Sequence, residues 1–166
     1  GMSSIGADPT GRKPYHHGSL HSALVEASVA LAREGGPDRV ILREAARAAG
    51  VSHSAAYRHF ADREALLDEV SAYARNELAA QMLRRVNSAK GPRRRLRAVG
   101  TAYIDFALTE PGLFRTAFTS HPATFRDAED DRATTGEGPT HTTTGAEPFE
   151  VLGQVLDEAN TAGLLD

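Results

Sequence analysis

The side chains that could do chemistry cluster between Ser52 and Arg63. His53, Ser54, Tyr57, Arg58 and His59 place imidazole, hydroxyl, phenol and guanidinium groups within seven residues, with no carboxylate among them. Donors of that kind suit phosphate oxygens and the edges of nucleic-acid bases. Ser52 precedes the cluster and Arg63 follows it. Upstream, Arg12 and Lys13 lead the run RKPYHHG, a short basic arm of the sort that lies along phosphates or enters a minor groove beside a helical reader. His17 and His21, four apart, are the only pair with metal-ligand spacing near this end. A third ligand is not evident and Gly18 lies between them, so a metal site is not expected. No Walker sequence or nucleophile motif is present. The densest positive run, Arg93, Arg94, Arg95 and Arg97, is best read as a solvated helix start or as partners for the acidic remainder of the chain, ahead of a ligand carboxylate.

Short helices joined by a turn would position the first cluster. A helix over about 41–48 has Ala45, Ala46 and Ala49 as its small face, which lets a second helix approach closely. Gly50 supplies the backbone freedom of the turn, Val51 plugs it, and the Ser52 hydroxyl can cap the next helix. That next helix, about 53–59, is too short to stand alone. Ala56 and Phe60 must dock it on its predecessor, leaving the polar residues outward. Before this pair, Leu20, Leu24, Ala27, Ser28 and Leu31 mark a helix over 19–34, stopped by Gly35-Gly36-Pro37. After it, Asp62 can cap a long helix reaching about Val86, with Leu66, Val70, Tyr73, Ala74, Leu78 and Met82 at helical spacing.

Beyond Gly91-Pro92, a helix to about Thr109 buries Leu96, Val99, Tyr103 and Phe106, and Pro111 opens a short helix to 118 with Leu113, Phe114 and Phe118 on one side. Residues 119–146 lose all apolar period and read as a loop that includes His121 and His141. A last helix over 147–161 carries Phe149, Leu152, Val155, Leu156 and Ala159. The chain has a formal net charge of −3 but an uneven one: residues 1–63 carry 8 Lys/Arg against 6 Asp/Glu, and residues 64–166 carry 11 against 16. A basic head on an acidic body fits a nucleic-acid-facing module and a separate regulatory one. There is no cysteine, which excludes disulfides and thiolate chemistry, and no apolar run of membrane length or secretion signal, so no membrane association is expected and the expected location is the cytoplasm.

GVSHSAAYRHFADREALL resembles the signature of the TetR family of bacterial transcription regulators, through Gly50, Val51, Ser52, Tyr57, His59, Phe60, Arg63, Glu64 and Leu66; PYHHGSL resembles the segment that opens many of its members. The resemblance implies an all-α protein: a flexible arm over 1–18, a three-helix DNA-binding domain with a helix-turn-helix over 19–65, and a helical ligand-binding and dimerisation domain over 66–166. It implies phosphate contacts from Ser52, Tyr57, His59 and Arg63, and base contacts from His53, Ser54 and Arg58. Ile41 and Leu42 stand where members often carry Thr or Ser, so the contact and cap usual there are not expected. TAYIDFALTEPGLFRTAF resembles, more loosely, the regulatory domains of one branch. Members of that branch continue into further helices that pair across the dimer axis, one with a Trp-His-Gly signature; with no Trp here, the regulatory domain is expected either to be truncated at its C-terminus or to dimerise by other surfaces.

The function implied is that of a ligand-responsive repressor, not an enzyme, without a cofactor, which binds a palindromic double-stranded DNA operator as a homodimer and responds to an unknown small-molecule effector. Met82, Tyr103, Phe106, Phe114, Phe118 and Phe149 are the candidates for lining an apolar effector pocket, against the plainer reading of each as core. The alternative is an all-helical metal-dependent enzyme using His17 and His21.

Overall fold

A computed structural model describes residues 17–119 and 147–165, all helical or connecting. The basic arm with Arg12 and Lys13, and the stretch 120–146 with His121 and His141, lie outside the described residues. The elements are α1 (His17–Gly35), a single 3-10 turn (Pro37–Arg39), α2 (Leu42–Ala49), α3 (His53–His59), α4 (Arg63–Asn87), α5 (Pro92–Thr109), α6 (Pro111–Ala117) and α7 (Pro148–Thr161). The 3-10 turn was not legible as an element; Pro37 fixes its first residue in the conformation a helix start needs. Helix α1 begins at His17, ahead of the expected Ser19.

Helix α4 is the axis of the molecule. Leu66, Val70, Ala74, Leu78, Met82 and Val86 recur every fourth residue and are all buried, while Leu67, Ser71 and Ala79 bury a second, adjoining stripe. Two stripes are needed because α4 packs against α1, α5, α6 and α7. Asp62 opens it as read from the sequence, its carboxylate accepting from the Ala65 amide at 2.9 Å.

Two short elements bury faces that match the expected ones only in part: Leu113, Val155 and Ala159 are buried as expected, while Phe118, Phe149 and Leu156 are not. In α6 the buried side is Gly112, Leu113, Thr116 and Ala117; Phe114 is half-buried, and Phe118 lies just past the helix end and is 38% exposed. The reason is that α6 docks on the last turn of α1 through Gly112, beside which the Ala32 and Arg33 carbonyls leave no room for a side chain. Thr116 donates its hydroxyl to Gly112 O at 2.7 Å, so the buried polar atom is satisfied within the helix. In α7 the buried stripe is Pro148, Val151, Val155 and Ala159, which turns Phe149 and Leu156 outward. Glu147 and Glu150 form a reciprocal capping box at its start.

Ion pairs fix the ends of these helices. Arg95 grips Glu158 with two nitrogens, at 2.9 and 3.1 Å, and also donates to Val86 O, tying α5 to both α7 and α4. One member of the arginine run is thereby matched by an acidic partner. Arg93, Arg94 and Arg97 are exposed.

Candidate nucleic-acid interface

The turn between α2 and α3 is built as the residues require. Gly50 adopts φ 72°, ψ 31°, a left-handed conformation that glycine takes without steric cost, and its amide meets the Ala46 and Arg47 carbonyls. The Val51 amide then donates to Ala46 O at 2.9 Å. Ser52 caps α3, its Oγ accepting from the Ala55 amide at 3.1 Å. Ile41 offers no such cap to α2, as its side chain has no acceptor.

Helix α3 has only seven residues and is held by its neighbours. Ala56 is fully buried against the reader core and Phe60, its C-terminal cap residue, nearly so. His53, Ser54, Tyr57 and Arg58 are exposed, His59 is half-buried, and Ser52 lies at the surface. Tyr57 is 52% exposed, with its ring edge-on to His53 at 5.7 Å. One rigid helix therefore presents imidazole, hydroxyl, phenol and guanidinium groups to solvent together, the set expected from sequence.

Arg63 has a different placement from that of a free cation. Its Nε donates to Val40 O at 2.8 Å and its Nη2 to Pro37 O at 2.7 Å. The guanidinium thus pins the first residue of α4 to the segment entering α2. Only Nη1 has no such carbonyl partner among the described residues, and a phosphate contact would have to use that edge.

His21 is a residue whose role sequence reasoning missed. Its ring packs 4.7 Å from Phe60 and 5.9 Å from His59, and its Nε2 lies 3.2 Å from Glu69 Oε1. It wedges the end of α3 between α1 and α4. The contact joins positions 48 apart in sequence, so no local pattern signals it. Among the described residues no group of three or more His, Asp or Glu could hold a metal ion. Arg43 and Arg47, exposed on α2 at i and i+4, are further cations on this domain that the sequence reading did not single out.

The expected pocket residues divide. Met82 and Phe106 are core, each at most 3% exposed. The other four rings form a row: Tyr103 to Phe114 at 5.4 Å, Phe114 to Phe118 at 5.2 Å and Phe118 to Phe149 at 6.0 Å. Beside it Arg75 donates to Glu147 Oε1 at 3.1 Å and to Ser71 Oγ at 2.9 Å. A separate open cleft, lined by Pro92, Gln154, Asp157, Glu158, Thr161 and Ala162, touches none of the expected residues. No described helix is long and apolar enough to cross a membrane.

Comparison with known proteins agrees with this geometry. The model of the bacterial regulatory proteins of the tetR family matches residues 24–70, and that of the tetracyclin repressor-like C-terminal domain matches residues 96–166, together well over half the chain. No curated protein sequence matches it. Among solved structures, a protein of unknown function from Rhodococcus sp. RHA1 is 28% identical with a TM-score of 0.57, over 93% of this chain and 89% of that one. A TetR family transcription regulator from Marinobacter aquaeolei VT8 is 20% identical with a TM-score of 0.54, over 86% of this chain and 67% of that one, a likeness of fold. With the Gly50 turn and the Ser52-capped second helix of a helix-turn-helix in place, and both family models matched in order along the chain, this protein belongs to the TetR family of transcription regulators.

Proposed function

We propose that the protein is a ligand-responsive repressor that binds a two-fold operator as a homodimer, with residues 19–65 as the reader and 66–166 as the regulatory domain. The observation that carries this reading is the exposed face of α3, locked from behind by Ala56 and Phe60 and free of carboxylates. His53, Ser54 and Arg58 reach base edges; Ser52, Tyr57 and His59 contact phosphate, joined by the free edge of Arg63 and by Arg43 or Arg47 from α2. Arg12 and Lys13 add phosphate contacts from the arm.

A homodimer is supported by apolar side chains left outward on two helices of the second domain, Ile104 and Leu108 on α5 and Leu156 on α7. Two copies related by a two-fold axis would set their α3 helices in successive major grooves, about 34 Å apart or a multiple of it. An effector that shifts α4 alters that separation, and a coupling of about 1–3 kcal/mol suffices to change occupancy several-fold or more.

Selection of bound sequences from a random double-stranded pool tests the reading. An enriched dyad with half-sites about one helical turn apart is expected. Enrichment of no dyad would overturn it. Within the selected site, Arg58→Ala should cost about 1–3 kcal/mol and relax preference at one base position.

A further inference from the structure

Arg75 stands halfway along α4, its side chain 20% exposed and heavily bonded. Its Nε donates to Glu147 Oε1 at 3.1 Å, and its Nη1 donates both to Ser71 Oγ at 2.9 Å and to Ala117 O at 3.4 Å. Two of these partners adjoin the row of rings in the chain: Ala117 precedes Phe118, and Glu147 lies two residues before Phe149. Phe118 is 38% and Phe149 58% exposed, so aromatic surface lies open next to a half-buried cation. Apolar walls with one convergent charge are the make-up of a small-ligand site.

The charge is filled from within the chain. Glu147 is also the acceptor that caps α7, where it takes the amide of Glu150. Its carboxylate therefore serves two donors, and one of them, the backbone amide, can keep it in place when the other is taken. Guanidinium groups bind planar carboxylates in preference to other small groups because paired N–H donors match the two oxygens.

We propose that the aromatic row beside Arg75 is the receptor for an effector with a flat apolar body and one carboxylate, which takes Arg75 from Glu147. This rests on the ligand-responsive reading above. The body lies against Phe118 and Phe149 and the carboxylate meets the Arg75 fork. A cationic ligand, which an aromatic cluster could also attract, is disfavoured by the guanidinium at the same place. Twelve residues, about 18 Å of helix, separate Arg75 from Arg63, which holds the reader through Val40 and Pro37. Exchange of carboxylates at Arg75 thus acts on the helix that carries α3.

Calorimetric titration of the full chain with 1-naphthoate, its neutral isostere 1-naphthamide and a naphthyl trimethylammonium salt tests the assignment. Naphthoate should bind about tenfold more tightly than the amide, as a charged partner strengthens a hydrogen bond. Arg75→Gln should erase that difference. Glu147→Gln, which keeps an acceptor for the cap, should tighten naphthoate several-fold because the internal competitor is gone; a purely structural ion pair would lower the thermal midpoint and leave affinity unmoved or weaker. Equal binding of naphthoate and amide, tighter binding of the cation, no binding of any probe, or no gain in Glu147→Gln would each overturn the proposal. Should Arg75→Gln fail to fold, the Glu147→Gln titration decides alone. Loss of all probe binding while the selected operator is still bound refutes this site and leaves the regulator standing. Naphthoate bound in the expected pattern without release of operator upholds the site and refutes the ligand-responsive reading.

Discussion

Gly112→Ala should separate α6 from α1. A Cβ built at Gly112 lies 2.8 Å from the Arg33 carbonyl oxygen and 3.1 Å from the Arg33 carbonyl carbon, and closer still to the Ala32 oxygen. A comfortable carbon–oxygen contact is about 3.3 Å, so the helices must part by at least about half an ångström. Both obstacles are main-chain atoms of the last turns of α1, which cannot rotate aside as a side chain could. Overpacking of this kind costs about 1–3 kcal/mol. For a chain of this size each kcal/mol moves the thermal midpoint by about 2–4 °C, so a fall of roughly 2–12 °C is expected by calorimetry or helical circular dichroism. The flanking contacts, Arg33 Nε to Glu110 Oε1 at 3.4 Å and Arg115 Nη2 to Gly35 O at 3.0 Å, depend on the same close approach but lie near the surface and add little. Gly100→Ala is the control: open space surrounds its Cβ position within α5, and alanine there should stabilise by about 0.5–1 kcal/mol. A midpoint unchanged within about 1 °C in Gly112→Ala, or opposite signs not appearing between the two variants, would refute the seating of α6 on α1.

Ser52→Ala removes the cap of α3 and should cost about 0.5–2 kcal/mol of stability, measured by thermal melting, together with weaker DNA binding. Phe60→Ala takes away both the dock of α3 and the ring stacked on His21, so a loss of about 3–5 kcal/mol is expected; hydrogen exchange should show it concentrated in residues 42–60. Arg63→Ala breaks two charge-assisted bonds to carbonyls, one of them at the surface, and should cost about 1–2 kcal/mol; full thermal stability would show that these bonds do not hold the fold. The Glu158 carboxyl is held below its ordinary range by hydrogen bonds from Arg95, whose own value is raised by the same bond. A depressed folded-state value contributes stability that is present above the unfolded carboxylate range and lost as pH falls through the folded value. The stability difference between wild type and Glu158→Gln should therefore be seen at neutral pH and close in acid, as denaturant titrations across that range would show.

The reader was legible in sequence because its determinants are local. Gly50, Val51, Ser52 and Asp62 act on amides and carbonyls within about one helical turn of themselves, so residue type and spacing carry the whole message. The faces of α6 and α7 were legible only in part, with Leu113, Val155 and Ala159 buried as expected, for a reason the residues make plain. Each carries two overlapping apolar stripes, Leu113 and Ala117 against Phe114 and Phe118 in one, Val151 and Val155 against Leu152 and Leu156 in the other. Periodicity alone favours the larger side chains. Packing chose the smaller ones, since Gly112 and Thr116 let α6 come within main-chain contact of α1 where a phenylalanine face would hold it away.

The displaced aromatics then become informative. Phe149, 58% exposed, ends a row of four rings that leaves Phe118 partly open as well, a contiguous aromatic surface rather than a single stray side chain. Arg63 and His21 make the complementary point at the other end of α4. Both were singled out for chemistry from their type, and both brace the three-helix unit: Arg63 holds the segment entering α2 through carbonyls 23 and 26 positions away, His21 the end of α3 through Phe60, with Glu69 beside it. Polar groups engaged over such distances are set by tertiary structure; α4 carries Arg63, Glu69 and Arg75 in turn, and α6, whose last residue precedes Phe118, also packs on α1, so α4 and α1 both run from the aromatic row to the contacts that hold α3.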